Sequence, residues 1–350
     1  MKYSLADFDY TLPKELIAAY PLQDRTRARL LRIDRRTGNF SHHIFRDLVS
    51  MFVPGDLLVL NNTKVLPARI FGKKTTGGKV EVFLLKEQEP GVWTALLRPG
   101  RGMKKGARLF LGENGTSLET EVLDDAKPGS CVRLFRFDDG SLKEKVRKIG
   151  HIPLPPYIHR PDTSLDREFY QTVFAEKEGA VASPTAGLHF DRAMLAEIQK
   201  REVEICYITL HVSYGTFRPL THADLSKGEI FEESYEITEN AARQLNKALE
   251  EKRRIIACGT TSVRACESAA VKENDSVKVT AGRGVTRLFI FPPYEFKVVQ
   301  CLITNFHLPK SSLLFLVAAF LGREKLFKGY EEAIRERYRF YSYGDAMVIL

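Results

Sequence analysis

The chain has 350 residues, of which 44% are hydrophobic and 28% charged, values typical of a globular protein with a substantial core. Its first residues, MKYSLADFDYTLP, carry aspartates where a secretory signal would be apolar, and its longest apolar run, LLFLVAAFL, has nine residues. The five cysteines form no CxxC pair. Composition argues against secreted, disulfide-framed and membrane-spanning classes, and it predicts a cytoplasmic protein with reduced thiols.

The formal net charge is +9, and all of the excess lies in the first part of the chain. Residues 1–150 contain 27 Lys and Arg against 18 Asp and Glu, whereas residues 151–350 contain 26 of each. This asymmetry favours a surface that faces a polyanion, with a soluble surface that is merely basic as the alternative.

The opening segments predict strands. RTRARLLRIDRRTG, at 25–38, places apolar residues among basic ones and ends at a Thr-Gly turn. PGDLLVLNNTKVLPARI, at 54–70, predicts a buried strand, an Asn-Asn turn and a second extended piece.

Residues 71–150 have the pattern of a small all-β domain. Gly-, Pro- and Asp-rich turns separate five short β-type runs: KVEVFLL, VWTALLR, ARLFL, SLETEVL and CVRLFRF. This spacing predicts a barrel or sandwich. The turn RPGRGMKK carries four cations that we expect to contact phosphate: Arg98, Arg101, Lys104 and Lys105.

After a proline-rich connector, HIPLPPYIHRPDT, strands and helices alternate. The predicted elements are a buried strand at 203–212, a strand, turn and helix at 255–270, and amphipathic helices at 238–254 and 324–340. The predicted fold class is α/β, with a large α/β main domain (1–70 and 151–350) and a small all-β barrel-like inserted domain (71–150).

The segment CGTTSVRACES predicts a ligand site at a helix start. Gly259 permits a tight turn after a buried strand, and Thr260 and Thr261 begin a helix whose free N–H groups attract anions. Arg264 and Glu267 lie on one helical face, where they could pair or reach a ligand. The alternative is an ordinary capped helix with a surface ion pair.

Three histidines stand beside Gly or Pro at predicted element ends. His189 closes SPTAGLHF, His211 lies in TLHVSYGTF, and His307 lies in TNFHLP. Because α/β proteins build their sites at element ends, these histidines predict a shared cleft. Independent core or capping roles are the alternative, and for SPTAGLHF that role is a helix-entry turn.

Several familiar signatures are absent from the sequence. It contains no GxxxxGK[ST] phosphate loop, no dinucleotide-binding GxGxxG in a strand–helix context, and no GxSxG nucleophile elbow. The His, Cys and carboxylate residues show no clustered metal-ligand spacing, so no metal is expected.

In chain order, SPTAGLHF, HVSYGTF, GTTSVR, TNFHLP and YRFYSYGDAM resemble the S-adenosylmethionine:tRNA ribosyltransferase-isomerase family of queuosine biosynthesis. LNNTKVLPARI, TTGGKVEVFLL, GHIPLPPYI and QTVFAEKEGAVASPTAGLHF extend the resemblance over essentially the whole chain. It implies transfer and isomerisation of the ribosyl group of S-adenosylmethionine onto 7-aminomethyl-7-deazaguanine at the tRNA wobble position. The products would be epoxyqueuosine, adenine and methionine.

The resemblance also implies a large α/β domain with a small β-barrel, and S-adenosylmethionine as a ribosyl donor rather than a permanently bound cofactor. The expected partner is tRNA carrying the deazaguanine base, and the expected state is a monomer with no membrane partner. A non-catalytic tRNA-binding protein and an S-adenosylmethionine-dependent RNA methyltransferase are the alternatives.

The implied chemistry removes a proton from the carbon beside the sulfonium and delivers one to departing adenine. His189 is the first candidate for acid–base work and His307 the second. Asp345 or Glu267 could balance the sulfonium charge, and Tyr343, with Tyr341, could add cation–π stabilisation.

The remaining candidates divide by ligand. Those for S-adenosylmethionine are Thr185, Gly259, Thr260, Thr261, Arg264, Glu267 and Tyr343. Those for the base and tRNA are His211, Thr216, Phe217, Arg339, Arg98, Arg101, Lys104 and Lys105.

The chain departs from the family pattern at five positions. Ser213 and Tyr214 replace a small pair, Phe231 and Glu232 replace a His-Ser pair, and Arg287 stands where an Asp is usual. If these positions bind substrate in relatives, this chain binds it differently.

Overall fold

The structure, a computed structural model, describes residues 3–100, 103–112, 117–125, 131–137, 140–217, 220–273 and 276–350. The strands are β1 (Arg29–Ile33), β2 (Phe40–Ile44), β3 (Leu57–Asn61), β4 (Thr63–Val65), β5 (Arg69–Lys74), β6 (Lys79–Glu89), β7 (Val92–Arg98), β8 (Arg108–Leu111), β9 (Leu118–Val122), β10 (Val132–Arg136), β11 (Lys177–Ala180), β12 (Glu204–Leu210), β13 (Glu229–Ile237), β14 (Ile255–Cys258), β15 (Ala270–Glu273), β16 (Ser276–Val279), β17 (Gly282–Leu288), β18 (Cys301–Asn305) and β19 (Ala346–Ile349).

Helices connect and cover these strands. The α-helices are α1 (Leu142–Ile149), α2 (Ser164–Phe169), α3 (Arg192–Lys200), α4 (His222–Lys227), α5 (Glu239–Glu250), α6 (Thr260–Ala269), α7 (Ser312–Leu321) and α8 (Arg323–Arg335). Short 3-10 helices lie at Ala6–Phe8, Lys14–Leu16, Arg25–Arg27, Phe45–Met51, Thr185–His189 and Tyr214–Phe217. Within the described ranges, no helix has the length and apolar character that crossing a bilayer requires.

A nine-stranded mixed sheet forms the centre of the main domain, in the order β17-β13-β12-β3-β14-β18-β19-β1-β2. Along β3, Leu57 and Val59 enter one apolar cluster, while Leu58 and Leu60 enter another on the opposite face. Burial on both faces explains why the strand is an unbroken apolar run rather than an alternating one.

Four adjacent strands of this sheet, β12, β3, β14 and β18, run parallel to one another. Their carboxyl ends therefore meet at a single edge of the sheet. The residues at or just beyond these ends are Asn61, His211, Gly259 and Asn305. Ligands of open α/β sheets bind outside this edge, so the topology fixes where a site can form.

Six antiparallel strands close a barrel in the order β10-β7-β6-β5-β8-β9, with β9 pairing back to β10. The predicted fold class is thus confirmed. Five barrel strands coincide with the five predicted runs, and the sixth, β5, begins earlier, at Arg69. The domain limits at 70 and 150 stay a proposal, and α1 belongs with the barrel because Leu142 and Val146 join its core.

Barrel closure depends on a close backbone approach at Gly72, which pairs with Leu111 of β8. A methyl group on Gly72 would lie 2.3 Å from the carbonyl oxygen of Phe110 and 2.7 Å from Leu111 Cδ2. We expect Gly72→Ala to lower the free energy of unfolding by about 1–3 kcal/mol, because the backbone must shift to relieve the overlap. Hydrogen exchange of the β5 and β8 amides and urea denaturation would measure the change.

Gly78→Ala is the matched control, since its methyl group would make only ordinary contacts, with the Lys74 side chain at 3.6 Å and with Thr76 Oγ1 at 4.0 Å. This control should stay within about 0.5 kcal/mol of the wild type. Equal stability and equal exchange in the two variants would contradict the steric account.

Candidate active site

A cavity with polar side chains set in a largely apolar wall lies outside the sheet edge where β14 and β18 end. Its wall includes Ser183, Thr260, Asn305, His307 and Tyr341, from four separate segments of the chain. The shared cleft predicted from the loops therefore exists for SPTAGLHF, GTTSVR and TNFHLP. His211 lines a neighbouring cleft instead, between the sheet and the barrel.

The start of α6 forms one side of this cavity. Gly259 has φ of +86°, which only glycine adopts readily, and its N–H donates to Ile303 O at 2.7 Å. In the described part of the chain no side chain caps the helix start, and Thr260 and Thr261 line the cavity beside Gly259. The first N–H groups of α6 are thus placed to bind a polar or anionic ligand group.

Asn61, at the end of β3, fixes this helix start. Its amide nitrogen donates to Leu210 O at 3.0 Å and to Thr261 Oγ1 at 3.2 Å, and its oxygen accepts from Leu210 N at 3.0 Å. One buried side chain therefore ties the ends of β3 and β12 to α6. The Asn-Asn pair predicts a turn from the sequence but does not predict this tertiary role.

His307 forms the opposite wall, beyond the end of β18. Its Nε2 lies 2.8 Å from Thr304 Oγ1, its backbone N–H donates to the Tyr330 hydroxyl at 2.8 Å, and its carbonyl accepts from Tyr10. Burial lowers the pKa of His307 to about 3, so its imidazole is neutral at neutral pH.

His189 lies at the end of the 3-10 helix Thr185–His189, whose first residue lines the cavity. The imidazole itself borders a smaller adjoining cavity with Arg25, and its Nε2 is 3.3 Å from Asn305 Nδ2. Burial, with the positive charges of Arg339 and Arg25, lowers the pKa of His189 to about 3. His189 thus reaches the main cavity through Asn305.

Two buried oxygen atoms of residues in the main cavity wall have no hydrogen-bond partner among the described residues: Ser183 Oγ and Asn305 Oδ1. Leaving such a group unpaired costs about 1–3 kcal/mol, which a bound polar ligand would offset. Both residues belong to the motifs that contain His189 and His307, yet neither is among the candidates predicted from the sequence. These oxygen atoms are the clearest mark of a ligand site.

Tyr341 adds a second such mark. Its φ is +72°, in the left-handed region, which is unfavourable for any residue other than glycine. Residues held in such a conformation are found most often at functional sites. Its ring lies 4.7 Å from the Tyr157 ring, and both rings line the cavity. Tyr341 is therefore better placed for cation–π contact than Tyr343, which borders the smaller cavity and donates to Asp166 at 2.7 Å.

Arg264 and Glu267 do not pair with each other. Arg264 forms a buried ion pair with Glu233 and donates to Leu288 O at 3.1 Å. Glu233 also accepts from Ser213 N at 2.9 Å and from the Thr216 hydroxyl at 3.1 Å. Arg264 therefore does not line the cavity itself. It positions Glu233, which holds Thr216, and Thr216 lines the cavity.

Glu267 and Asp345 bind backbone rather than lining the cavity. The Glu267 carboxylate accepts N–H groups at 297–299, at 2.9 to 3.2 Å, and so holds the loop before β18. Asp345 accepts from Arg29 N at 2.8 Å and from Arg339 N at 2.7 Å, and burial raises its pKa. Neither carboxylate lines the cavity, so neither is placed to balance the charge of a sulfonium there.

The remaining predicted contacts are scattered. His211 Nδ1 lies 2.8 Å from Thr63 Oγ1, Arg339 donates to Tyr20 O, and Arg98 donates to the Tyr214 hydroxyl at 3.3 Å. Lys104 and Lys105 are exposed on the barrel. Arg101 and the side chain of Phe217 lie outside the described part of the chain.

The departures from the family pattern have partners of their own. Glu232 pairs with Arg287 at 3.1 Å, and both are departures on the adjacent strands β13 and β17. The Phe231 ring lies 5.6 Å from the Arg264 guanidinium, and Tyr214 packs on Phe83 with ring centroids 5.4 Å apart. Ser213, Tyr214 and Glu232 line the cleft between sheet and barrel, and none of the five substituted residues lines the main cavity.

Within the described ranges, no group of three or more His, Cys, Asp or Glu residues is arranged to hold a metal ion. The chemistry of the cavity is that of hydroxyl, amide, imidazole and aromatic groups around a helix start.

Comparison with known proteins agrees with this architecture. The chain matches the family model described as queuosine biosynthesis protein over residues 5–349. The S-adenosylmethionine:tRNA ribosyltransferase-isomerase of Sulfurihydrogenibium sp. is 46% identical over 347 residues, covering 99% of each chain. That of Clostridioides difficile is 46% identical over 345 residues, covering 98% of each.

A crystal structure of S-adenosylmethionine tRNA ribosyltransferase from Thermotoga maritima is also similar. It is 33% identical in sequence, with a TM-score of 0.54, and the match covers 98% of this chain and 100% of that one. The family model matches residues 5–349, and these relatives are similar along almost their full length. This chain therefore belongs to the queuosine biosynthesis protein family.

Proposed function

We propose that this chain is an S-adenosylmethionine:tRNA ribosyltransferase-isomerase, the activity named for its full-length relatives. Its substrates are S-adenosylmethionine and a tRNA whose wobble base is 7-aminomethyl-7-deazaguanine, as the motifs imply. The observation that carries the proposal is one cavity built from the family motifs, whose wall contains both the uncapped start of α6 and two residues with an unpaired buried oxygen atom.

The cavity suits the polar parts of S-adenosylmethionine. The N–H groups at the start of α6, beside Gly259 and Thr260, match a carboxylate such as that of the methionine portion. The unpaired oxygen atoms of Ser183 and Asn305 accept hydrogen bonds from amine or hydroxyl groups. The Tyr341 ring offers a face to the sulfonium.

Proton transfer falls to the two neutral histidines. Proton transfer from the carbon beside the sulfonium to an imidazole turns the sulfonium into a neutral ylide and the imidazole into a cation. The cavity therefore gains no net charge, which offsets the burial that otherwise opposes protonation. His307 lines the main cavity and His189 contacts it through Asn305, so we assign acid–base roles to both.

The assay that tests this function incubates S-adenosylmethionine with tRNA bearing the deazaguanine base and measures free adenine and nucleosides by mass spectrometry. Wild type should release adenine and form epoxyqueuosine. His189→Ala and His307→Ala should each slow the reaction by about 10²–10⁴-fold, the usual contribution of general acid–base catalysis. His222→Ala, an exposed histidine on α4, should retain full activity.

The product separates the alternatives. Methylated RNA with S-adenosylhomocysteine would replace the proposal with a methyltransferase, and tRNA binding without adenine release would replace it with a binding protein. Full activity in His189→Ala would mean that His189 has no catalytic role and that SPTAGLHF is only a helix-entry turn.

The same histidines predict how stability depends on pH. Folding lowers the pKa of His189 and of His307 from 6.5 to about 3, so below pH 6.5 the unfolded chain takes up protons that the folded chain does not. The free energy of unfolding should therefore fall between pH 7 and pH 5, by about 2 kcal/mol for each histidine. Urea denaturation at the two pH values measures the difference.

His307→Gln should remove about half of this loss, while His222→Gln should leave it unchanged. A loss of the same size in His307→Gln and wild type would mean that His307 is protonated in the folded protein.

A further inference from the structure

A second cleft, of about 700 Å³, separates the barrel from the segments that follow it. Its barrel side comes from β5 and β6, and its other side from α1, His151 and Arg167 of α2. None of its lining residues also lines the main cavity or the cleft that contains His211. Any ligand held here would thus lie apart from the reacting atoms.

Four cations line this cleft: Lys73, Lys79, Lys148 and Arg167. No Asp or Glu is found among the described residues that line it. His151, which also lines the cleft, has a carboxylate partner, since its Nδ1 lies 2.7 Å from Asp162 Oδ1. The cleft is therefore a concentration of positive charge rather than a mixed surface.

The four cations of the cleft have no carboxylate partner among the described residues, whereas several basic residues near the cleft do. Arg167 donates to two backbone carbonyls, Arg147 O at 3.0 Å and Gly150 O at 2.5 Å, which hold the guanidinium without neutralising it. As far as the described residues extend, none of the four cations lies within 4.0 Å of a carboxylate. Nearby basic residues are paired: Lys64 and Arg147 with Glu178, Arg69 with Glu81, Lys86 with Glu232, and Lys143 with Glu87.

An aromatic ring completes the cleft. Phe71 is 42% exposed, although its backbone pairs with that of Glu81 in the barrel. Its ring lies edge-on to the His151 ring, with the centroids 5.0 Å apart. An exposed phenyl ring among cations is the combination on which proteins bind RNA: phosphates contact the cations and an unstacked base contacts the ring.

We propose that this basic cleft, defined by Lys73, Lys79, Lys148, Arg167 and Phe71, binds the tRNA backbone at a place distant from the modified base. The proposal rests on the proposed function for the identity of the RNA. It explains why the excess charge of the chain is confined to residues 1–150, which supply three of the four cations. It also assigns the barrel a role in tRNA binding rather than in catalysis.

The test compares two triple variants by tRNA binding over a range of salt concentrations. K73Q/K79Q/K148Q removes the exposed lysines of the cleft, and K200Q/K278Q/K328Q removes three exposed lysines of the main domain. Each lost phosphate contact lowers the slope of log K against log salt by about 0.7–0.9, so the cleft variant should lose about 2–3 in slope. The control should keep the wild-type slope.

Kinetics supply an independent readout. The cleft variant should show a KM for tRNA raised about tenfold or more near 0.15 M salt, with kcat and the KM for S-adenosylmethionine unchanged. F71A should weaken tRNA binding without altering the salt slope, because a stacking contact releases no counterions.

Wild-type slope and KM in K73Q/K79Q/K148Q would overturn the cleft as an RNA site. An equal loss in the control triple would also overturn it, because the effect would then belong to net charge alone. Failure of the proposed function has a different signature, since the wild type itself would release no adenine.

Discussion

The buried ion pair between Arg264 and Glu233 is the contact on which both sides of the candidate site depend. It joins α6 to β13, and the free oxygen of Glu233 holds the turn that carries Thr216. Because an unpaired charge in the interior costs about 3–5 kcal/mol, helix and turn are locked in one mutual orientation. Arg264, chosen from the sequence as a ligand contact, is better understood as the residue that positions others.

Elements with strong periodic patterns could be predicted from the sequence. The five barrel runs, the strand at 203–212 and the helix at 238–254 all appear, because burial on one or both faces fixes their apolar spacing. β5 was less evident, since its second half, GKK, lacks apolar residues. Its close pairing with β8 depends on Gly72, which has no side chain. Convergence of the GTTSVR and TNFHLP loops followed from the parallel neighbours β14 and β18 ending at one edge, whereas SPTAGLHF follows β11, which lies outside the central sheet.

The chemical roles of polar side chains were harder to predict, for a physical reason. Asp345 and Glu267 occur in the same motifs as the cavity residues, but a carboxylate accepts backbone N–H groups as readily as it binds a ligand. Which of the two it does depends on tertiary contacts from Arg29 or from residues 297–299, remote in sequence. Asn61 illustrates the converse, a turn-forming residue whose amide connects two strands to a helix.

The barrel enters and leaves the main domain side by side, because Arg69 and His151 exchange backbone hydrogen bonds. Beyond it, β4 pairs with β11. Loop-closure entropy rises by only about 0.6 kcal/mol for each doubling of loop length, so the insertion costs this pairing little. Once the barrel has folded, its two ends lie next to each other, so the entropy lost in pairing β4 with β11 is that of closing a short loop. Insertions at the barrel's tips could thus lengthen the chain while leaving the central sheet's assembly almost unaffected.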